Sequence, residues 1–318
     1  MKVTDYIKAA EGRTLISFEV LPPLKGGRME DIFQTLDPLM EFKPPFIDVT
    51  YHRQDFVYAQ RDSGFFEKVS VRKRPGTIGI CASIMHRYGV DAVPHLICGG
   101  FTKDDTENAL IDLSFLGINN VLALRGDPRK FDGKFVPEPG GNRYALDLVE
   151  QVQNMNVGKY LDSTIDSGAN SEFCIGIAGY PEKHFESPNF ELDLEFTKKK
   201  VEAGADYIVT QMFFDNQKYF DYVDACRAAG ITIPIIPGLK PITKKYQLNS
   251  IPRMFYINMP DDLVQSIMKC GDDRKAIKQV GIEWCTAQSK ELKERGAPCL
   301  HYYTMGDADT ITKVIESI

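Results

Sequence analysis

The sequence lacks several features that would assign it to a common class of protein. Its 318 residues contain no run of 18 uncharged apolar residues, so no membrane-spanning helix is expected. Residues 1–5 include an acid and lack the apolar core of a signal peptide. The seven cysteines are odd in number and none shows Cys-x-x-Cys spacing, which argues against a disulfide framework and a zinc knuckle. These absences predict a reduced, cytoplasmic protein without a metal site and without membrane association.

An excess of positive charge is also missing. Lysine and arginine number 38 against 44 aspartates and glutamates, which gives a net charge of −6. Binding to nucleic acid phosphates needs clustered positive charge, so nucleic acid is not an expected partner. The one dense basic run, 72–74, stands beside Pro75 and Gly76 and predicts a solvated turn. The apolar fraction of 43% is enough for a core of normal size.

Short apolar runs alternate with helical segments along the whole chain. These runs are nearly continuous rather than alternating, which is typical of parallel strands buried on both faces. Four returns from helix to strand carry a glycine, which can close the last helical turn in the left-handed conformation. Those glycines are Gly117, Gly204, Gly230 and Gly296. The predicted strands are 15–20, 46–51, 94–98, 121–125, 173–180, 207–213, 233–239 and 299–303.

A repeat of eight βα units predicts one (β/α)8 TIM barrel that spans 1–318 as a single domain. An open doubly wound sheet is the alternative, but no G-x-G-x-x-G and no phosphate-binding P-loop sequence follows any strand. The charged segment 53–76 is expected to be a long loop after the second strand. The sequence predicts a helix that begins after Thr102, because Thr102 can cap it and Asp105 follows three residues later.

In such a barrel the carboxyl ends of the strands meet at one mouth, and the polar residues there are the candidates for chemistry. Glu19 lies in an apolar strand, where burial would raise its pKa and suit a general acid; a structural salt bridge is the alternative. The segment 125–127 places Arg125 and Asp127 around a glycine that permits close approach of a ligand. An ion pair at the rim explains that segment equally well.

Three further positions have both a functional and a structural interpretation. His95 is either a catalyst or a packed, hydrogen-bonded histidine of the strand. Gln211 interrupts an apolar run, so its amide pairs either with a ligand or within the barrel. The lysine run 198–200 either forms a solvated helix face or holds a diphosphate.

Together these segments resemble a known family. The matching segments, in chain order, are 17–19 with Pro22 and Pro23, 49–51, 94–96, 123–127, 179–184, 210–215, 236–238 and 300–304. The chain from about residue 12 to 306 thereby resembles a methylenetetrahydrofolate reductase of the short bacterial type. The resemblance implies a barrel that binds FAD at the carboxyl ends of its strands, without a Rossmann domain.

The resemblance also implies an activity and roles for several residues. NADH or NADPH reduces the flavin and leaves, and 5,10-methylenetetrahydrofolate takes the place of the nucleotide. The folate is then reduced to 5-methyltetrahydrofolate, which supplies methyl groups for methionine synthesis. Glu19 would protonate the bridging N10 of the folate, and hydride would then pass from flavin N5. Asp127 would tune the flavin and stabilise the cation. Gln211 would contact the pterin and the nicotinamide, Thr50 the nicotinamide and Gln247 the folate.

The flavin-binding positions implied by the resemblance are spread over four of the predicted strands and the segments that follow them. They are Tyr51, His95, Arg125, Gly126, Asp127, Tyr144, Ala145, Tyr180, His184, Ser187, Asp193, Lys199 and Lys200. The chain departs from the family at His52 and Arg53, where small residues are usual, and at Phe196, where a polar contact is usual. A late folate-binding arginine has no clear match.

Other functions stay open from the sequence alone. A second flavin barrel, similar to proline dehydrogenase, would need a pair of arginines for a carboxylate. A non-catalytic subunit of a redox complex would bind no flavin that NADH or NADPH can reduce. A homo-oligomer is expected, and a redox partner protein is an alternative source of electrons.

Overall fold

The computed structural model describes residues 1–71, 73–128, 132–165 and 169–318. The predicted solvated turn at 72–74 therefore lies partly outside the described residues. The strands are β1 (Leu15–Val20), β2 (Phe46–Val49), β3 (Asp55–Gln60), β4 (Phe66–Val71), β5 (Asp91–Ile97), β6 (Asn120–Leu124), β7 (Cys174–Gly179), β8 (Tyr207–Thr210), β9 (Ile235–Ile236), β10 (Gly238–Leu239) and β11 (Cys299–Tyr303).

Helices follow the strands in the repeating order that the sequence predicts. They are α1 (Val3–Ala9), α2 (Met29–Leu36), α3 (Thr77–Tyr88), α4 (Lys103–Phe115), α5 (Ala145–Asn156), α6 (Phe190–Glu202), α7 (Asn216–Ala228), α8 (Gln247–Phe255), α9 (Asp261–Lys269), α10 (Arg274–Glu294) and α11 (Ala308–Ile315), with a 3-10 helix at Asp37–Phe42. The start of α4 is as predicted: the Asp105 N–H donates to the Thr102 hydroxyl at 3.0 Å, and the Thr102 N–H donates to the Asp105 carboxylate at 2.9 Å.

The parallel strands close into a barrel. Their order is β10-β11-β1-β2-β5-β6-β7-β8-β9, and every pairing within it is parallel. Strands β9 and β10 lie end to end in one strand position of the barrel, and Pro237 separates them because its nitrogen has no hydrogen to donate. Strand β9 pairs with β8 and strand β10 pairs with β11, so the described parallel strands occupy eight positions around the barrel. The predicted (β/α)8 barrel is confirmed.

The segment 53–76 was expected to be a long loop, and this is wrong. It contains the antiparallel pair β3 and β4, with Asp55 opposite Val71 and Gln60 opposite Phe66. A tight turn joins them, in which the Arg61 N–H donates to the Phe65 carbonyl at 2.8 Å and Gly64 has a φ of +81°. Both strands contain aromatic and β-branched residues with high strand propensity, and the charged residues of the segment concealed that pattern.

Apolar side chains fill the barrel at its amino-terminal end, and polar ones occupy the end where the strands finish. The lower interior includes Phe46, Val93, Leu122 and Tyr207, and α1 closes it from below with Val3. A second, larger apolar layer lies between the barrel and its helices. Consequently the polar residues of the barrel are concentrated near the mouth, where the predicted site lies.

Candidate active site

Glu19, on β1, lies at the mouth with its side chain 15% exposed. One carboxylate oxygen is 3.6 Å from Nε2 of His95, which projects from β5. Burial raises the pKa of Glu19, attraction to His95 opposes that rise, and the nearby Asp48 carboxylate reinforces it. The environment of Glu19 therefore favours its protonated form more than water does.

Asp48 completes this cluster and was not predicted. It lies on β2, fully buried, with Oδ2 3.4 Å from the same Nε2 of His95. Burial raises the pKa of Asp48 to about 6, although His301 opposes the rise. A lone acid in the apolar run 46–49 was the signal in the sequence that could have identified it.

Arg125 lies at the end of β6 and connects to the loop after β7. Its guanidinium pairs with Glu186 and lies over the Phe135 ring at 5.0 Å. The Glu186 N–H donates to Nδ1 of His184, whose ring packs edge-on against Tyr180 at a centroid distance of 4.8 Å. An ion pair at the rim, as one interpretation of the sequence required, is therefore present.

Asp193, at the start of α6, fixes this loop. Its carboxylate accepts hydrogen bonds from the His184 N–H at 3.0 Å and from the Ser187 hydroxyl at 2.9 Å. The predicted set Tyr180, His184, Ser187 and Asp193 thus forms one connected group beside Arg125. The structure brings together these positions, which the sequence separates by up to 68 residues.

The lysine run 198–200 divides between both of its interpretations. Lys199 is exposed and pairs with Glu195 one helical turn earlier, at 2.7 Å. Lys200 points inward, where its Nζ donates to the Ala178 carbonyl at 3.2 Å, and burial lowers its pKa to about 8. Only Lys200 thus has an environment that distinguishes it from a solvated helix face.

The backbone at 125–127 approaches its surroundings closely. Gly126 has a φ of +81°, and a Cβ built on it would lie 3.3 Å from Ile97. Asp127 follows and is exposed. Burial lowers the pKa of His52, and attraction to the Asp127 carboxylate opposes that decrease. Glycine is therefore favoured at 126 by its dihedral angle, and a side chain there would also need Ile97 to move by a few tenths of an ångström.

Tyr144 and Ala145 begin α5 on the same side of the mouth. The Asp147 carboxylate accepts from the N–H groups of Arg143 and Tyr144, at 2.8 and 2.9 Å. The Tyr144 ring is exposed, with the Arg143 guanidinium 5.3 Å from its centroid. The Tyr144 carbonyl accepts from Cys98 Sγ at 3.4 Å, which places the start of α5 beside the end of β5.

The remaining predicted contacts lie around the same opening. Gln211 follows β8, and its side-chain oxygen accepts from the Met212 N–H at 2.9 Å, which leaves its NH₂ group to other partners. Gln247 uses its oxygen similarly, accepting from the N–H groups of Thr243 and Lys244 at 2.8 and 2.9 Å. Thr50 follows β2, where its N–H donates to Val20 at 3.1 Å.

A cavity of about 440 Å³ adjoins the mouth on the side of α3 and α4. Tyr51, His95 and Phe101 line it together with the first turn of α3. The Tyr51 ring packs against Phe101 at a centroid distance of 5.1 Å. Its lining is mainly apolar, as is usual where flat organic ligands bind.

The described ranges lack two other kinds of site. They contain no helix with the length and apolar character needed to cross a bilayer. They also contain no group of three or more His, Cys, Asp or Glu side chains arranged to hold a metal ion.

Comparison with solved structures supports the fold. A protein from Clostridium thermocellum, described as uncharacterized and as binding two copies of 5-methyl-5,6,7,8-tetrahydrofolic acid, aligns with a TM-score of 0.59. It shares 14% identity, and the alignment covers 98% of this chain and 96% of that one. At this identity the likeness concerns the fold alone.

Comparison of sequences identifies the family. The 5,10-methylenetetrahydrofolate reductase of Escherichia coli K12 is 31% identical, over 94% of this chain and 88% of that protein. Methylenetetrahydrofolate reductase (NADH) 1 of Arabidopsis thaliana is 33% identical over 96% of this chain, which spans 48% of that protein, so the chain is about half as long as its plant relatives. The family profile described as methylenetetrahydrofolate reductase matches residues 2–318. With these matches across nearly its whole length and a buried carboxyl group at the barrel mouth, the chain belongs to the methylenetetrahydrofolate reductase family.

Proposed function

We propose that this protein reduces 5,10-methylenetetrahydrofolate to 5-methyltetrahydrofolate, with NADH or NADPH as the source of electrons and FAD as the carrier. Family membership supports the substrate. The single observation that carries the mechanism is Glu19, a carboxyl group with a raised pKa at the mouth of the barrel. A group of this kind can deliver a proton to a nitrogen of the substrate at neutral pH.

The residues at the mouth fit FAD. Arg125 and Lys200 provide cations for the diphosphate, and Tyr144 and Tyr180 provide aromatic faces for rings. Lys200 supports this fit because it is a partly buried cation whose Nζ donates to the Ala178 carbonyl rather than to a carboxylate. When bound, FAD would accept a hydride from the nicotinamide and later give one to the folate carbon.

Glu19 would act on the folate before that hydride transfer. Protonation of N10 breaks the bond between N10 and the bridging methylene carbon and opens the five-membered ring, which leaves an iminium ion at N5. Asp127, an exposed carboxylate near the mouth, would stabilise the positive charge of that ion. Glu19 and Asp127 are both acids, but one is buried and the other exposed, so their environments fit the separate roles of acid and anion.

Gln211 and Gln247 would recognise the pterin and the rest of the folate. Each has its amide oxygen occupied by backbone N–H groups and thereby presents its NH₂ group in a fixed orientation. Gln211 and Thr50 would contact the nicotinamide while it occupies the same place. Sequential use of one place by the two substrates gives a ping-pong mechanism.

The remaining parts of the proposal concern the protein as a whole. We infer one catalytic domain over 1–318, a homo-oligomer in the cytoplasm, and a role in the supply of methyl groups for methionine. Relatives carry both NADH and NADPH in their names, so either nucleotide is a candidate. A redox partner protein would be the alternative donor.

The test is an anaerobic visible spectrum of the purified protein, to which NADH or NADPH and then methylenetetrahydrofolate are added. We expect the flavin band to bleach with one nucleotide and to return with the folate. Bleaching without return would favour a different substrate, as in a barrel similar to proline dehydrogenase. A bound flavin that neither nucleotide bleaches would favour a partner protein, and failure to bind FAD would refute the proposal.

The substitution Glu19→Gln tests the assigned acid. We expect reduction by the nucleotide to remain and reoxidation by the folate to fall by at least about 100-fold, because a general acid contributes on that order. Glu107→Gln is the control. Glu107 is a buried glutamate on α4, and its carboxylate accepts a hydrogen bond from the Leu161 N–H rather than facing the mouth. Equal loss of both half-reactions in Glu19→Gln would remove Glu19 from this role.

A further inference from the structure

Two carboxyl groups at the mouth share one imidazole nitrogen. Asp48 Oδ2 lies 3.4 Å and Glu19 Oε2 lies 3.6 Å from His95 Nε2. Only the first distance is within hydrogen-bond range, so in the tautomer that carries a hydrogen on Nε2 this nitrogen donates to Asp48. Asp48 is therefore placed to take the hydrogen that Glu19 would otherwise attract.

The other carboxylate oxygen of Asp48 accepts no hydrogen bond from the described residues. Oδ1 has no hydrogen-bond partner among the residues that the structure describes, and the side chain is fully buried. A buried carboxylate with one donor depends on that donor strongly. This dependence holds Nε2–H of His95 toward Asp48 rather than toward Glu19.

We propose that Asp48 is a positioning residue for Glu19: by accepting the Nε2 hydrogen of His95, it denies Glu19 a donor that would stabilise its ionised form, and so favours the protonated form of Glu19. The inference deepens the proposed function, because the protonated form of Glu19 is the one that delivers a proton to the folate. His95 has a structural part in this arrangement, whether or not it also contacts a flavin.

The negative charge of Asp48 also favours the protonated form of Glu19, as the hydrogen bond does. The two carboxyl groups are no more than about 7 Å apart, since both lie on one nitrogen, and a negative charge at that distance disfavours a second one. Burial lowers the pKa of His95, so this imidazole is neutral at pH 7 and does not cancel the repulsion. Asp48, with its pKa raised to about 6, is ionised under the same conditions.

Other titratable groups face the cluster from the surrounding elements. They are Tyr303 and His301 on β11, Cys299 at the start of β11, Tyr207 on β8, Cys81 on α3 and His52 after β2. Burial raises the pKa of the tyrosines and cysteines and lowers the pKa of both histidines, so these neighbours stay neutral near pH 7. The Asp48 charge is thus the nearest negative charge that can act on Glu19.

The experiment follows the proton on Glu19 directly. Infrared spectra of the purified chain are recorded across a pH series, and the C=O band of protonated Glu19 is identified as the band that Glu19→Gln removes. In Asp48→Asn we expect this band to disappear at a pH roughly one to two units lower than in the wild type. The alkaline limb of folate reduction should move to lower pH by the same amount, because an acid works only while it is protonated.

Two further variants keep the outcome clear. Asp48→Ala removes both the charge and the acceptor, and it should shift the band in the same direction if the Asn variant does not fold. Asp206→Asn is the control, because Asp206 is a partly buried carboxylate that accepts from the Ile175 N–H at the other end of the barrel. It should leave the titration of Glu19 unchanged.

The results distinguish this inference from the function on which it rests. An unchanged band titration in both Asp48 variants would overturn the inference, whatever their activity. A shifted band together with undiminished folate reduction in Glu19→Gln would sustain the link between Asp48 and Glu19 and refute the role of Glu19 as the folate acid.

Discussion

Gly281→Ala should destabilise the protein although it replaces a helix-breaking residue inside a helix. Gly281 is buried in α10, and a Cβ built on it would lie 1.7 Å from the carbonyl oxygen of Ile242 and 2.7 Å from its carbonyl carbon. Ordinary contacts with a Cβ begin at 3.4 Å, so the two backbones must separate by more than 1 Å. Overpacking of this kind costs about 1–3 kcal/mol or more, which exceeds the gain of about 1 kcal/mol in helix propensity.

The measurement is urea unfolding of the wild type, Gly281→Ala and a control. Gly79→Ala is the matched control, because Gly79 lies in α3 and a Cβ there would meet nothing within 4 Å. We expect the free energy of unfolding to fall by about 2 kcal/mol for Gly281→Ala and to stay level or rise for Gly79→Ala. A Gly281→Ala variant as stable as the wild type would refute the close packing of α10 against the segment between β10 and α8.

Two other predictions concern stability. Thr102→Ala removes the hydroxyl that caps α4 and should lower the free energy of unfolding in urea by about 1 kcal/mol, whereas Thr102→Ser should retain most of it. Asp48 has its pKa raised from 3.8 to about 6, so the native state binds the proton more tightly and stability from this group is lost as pH rises through 6. Relative to Asp48→Asn, the wild type should lose about 2.4 kcal/mol between pH 4 and pH 7, and a constant difference would contradict the raised pKa.

Local patterns predicted the elements of the barrel well. The strand at 15–20 and the strand at 299–303 have the predicted bounds, and Thr102 and Asp105 begin α4 as expected. These features depend on neighbours within a few residues of each other, so the sequence displays them directly. The predicted strand 207–213 extends too far, because β8 ends at Thr210, the last residue that pairs with β7.

Alternatives that the sequence left open were decided by tertiary contacts. Lys199 and Lys200 are adjacent and chemically identical, yet one pairs with Glu195 on the surface and the other donates to Ala178. The helix rotates successive residues by about 100°, so only the position of the barrel beneath α6 determines which lysine points inward. Arg125 likewise pairs with Glu186, 61 residues away, which no local pattern indicates.

The sequence by itself determined the βα repeat, the helix cap at Thr102 and the polar character of the strand ends, because each follows from residues that are close in the chain. Tertiary structure alone decided that Asp48, His95 and Glu19 meet at one nitrogen, since they come from three different strands. Their meeting depends on the register of β1, β2 and β5, in which Glu19 lies opposite Asp48 and Val49 opposite Pro94. A shift of one residue in either pairing would turn these side chains to the other face of the sheet.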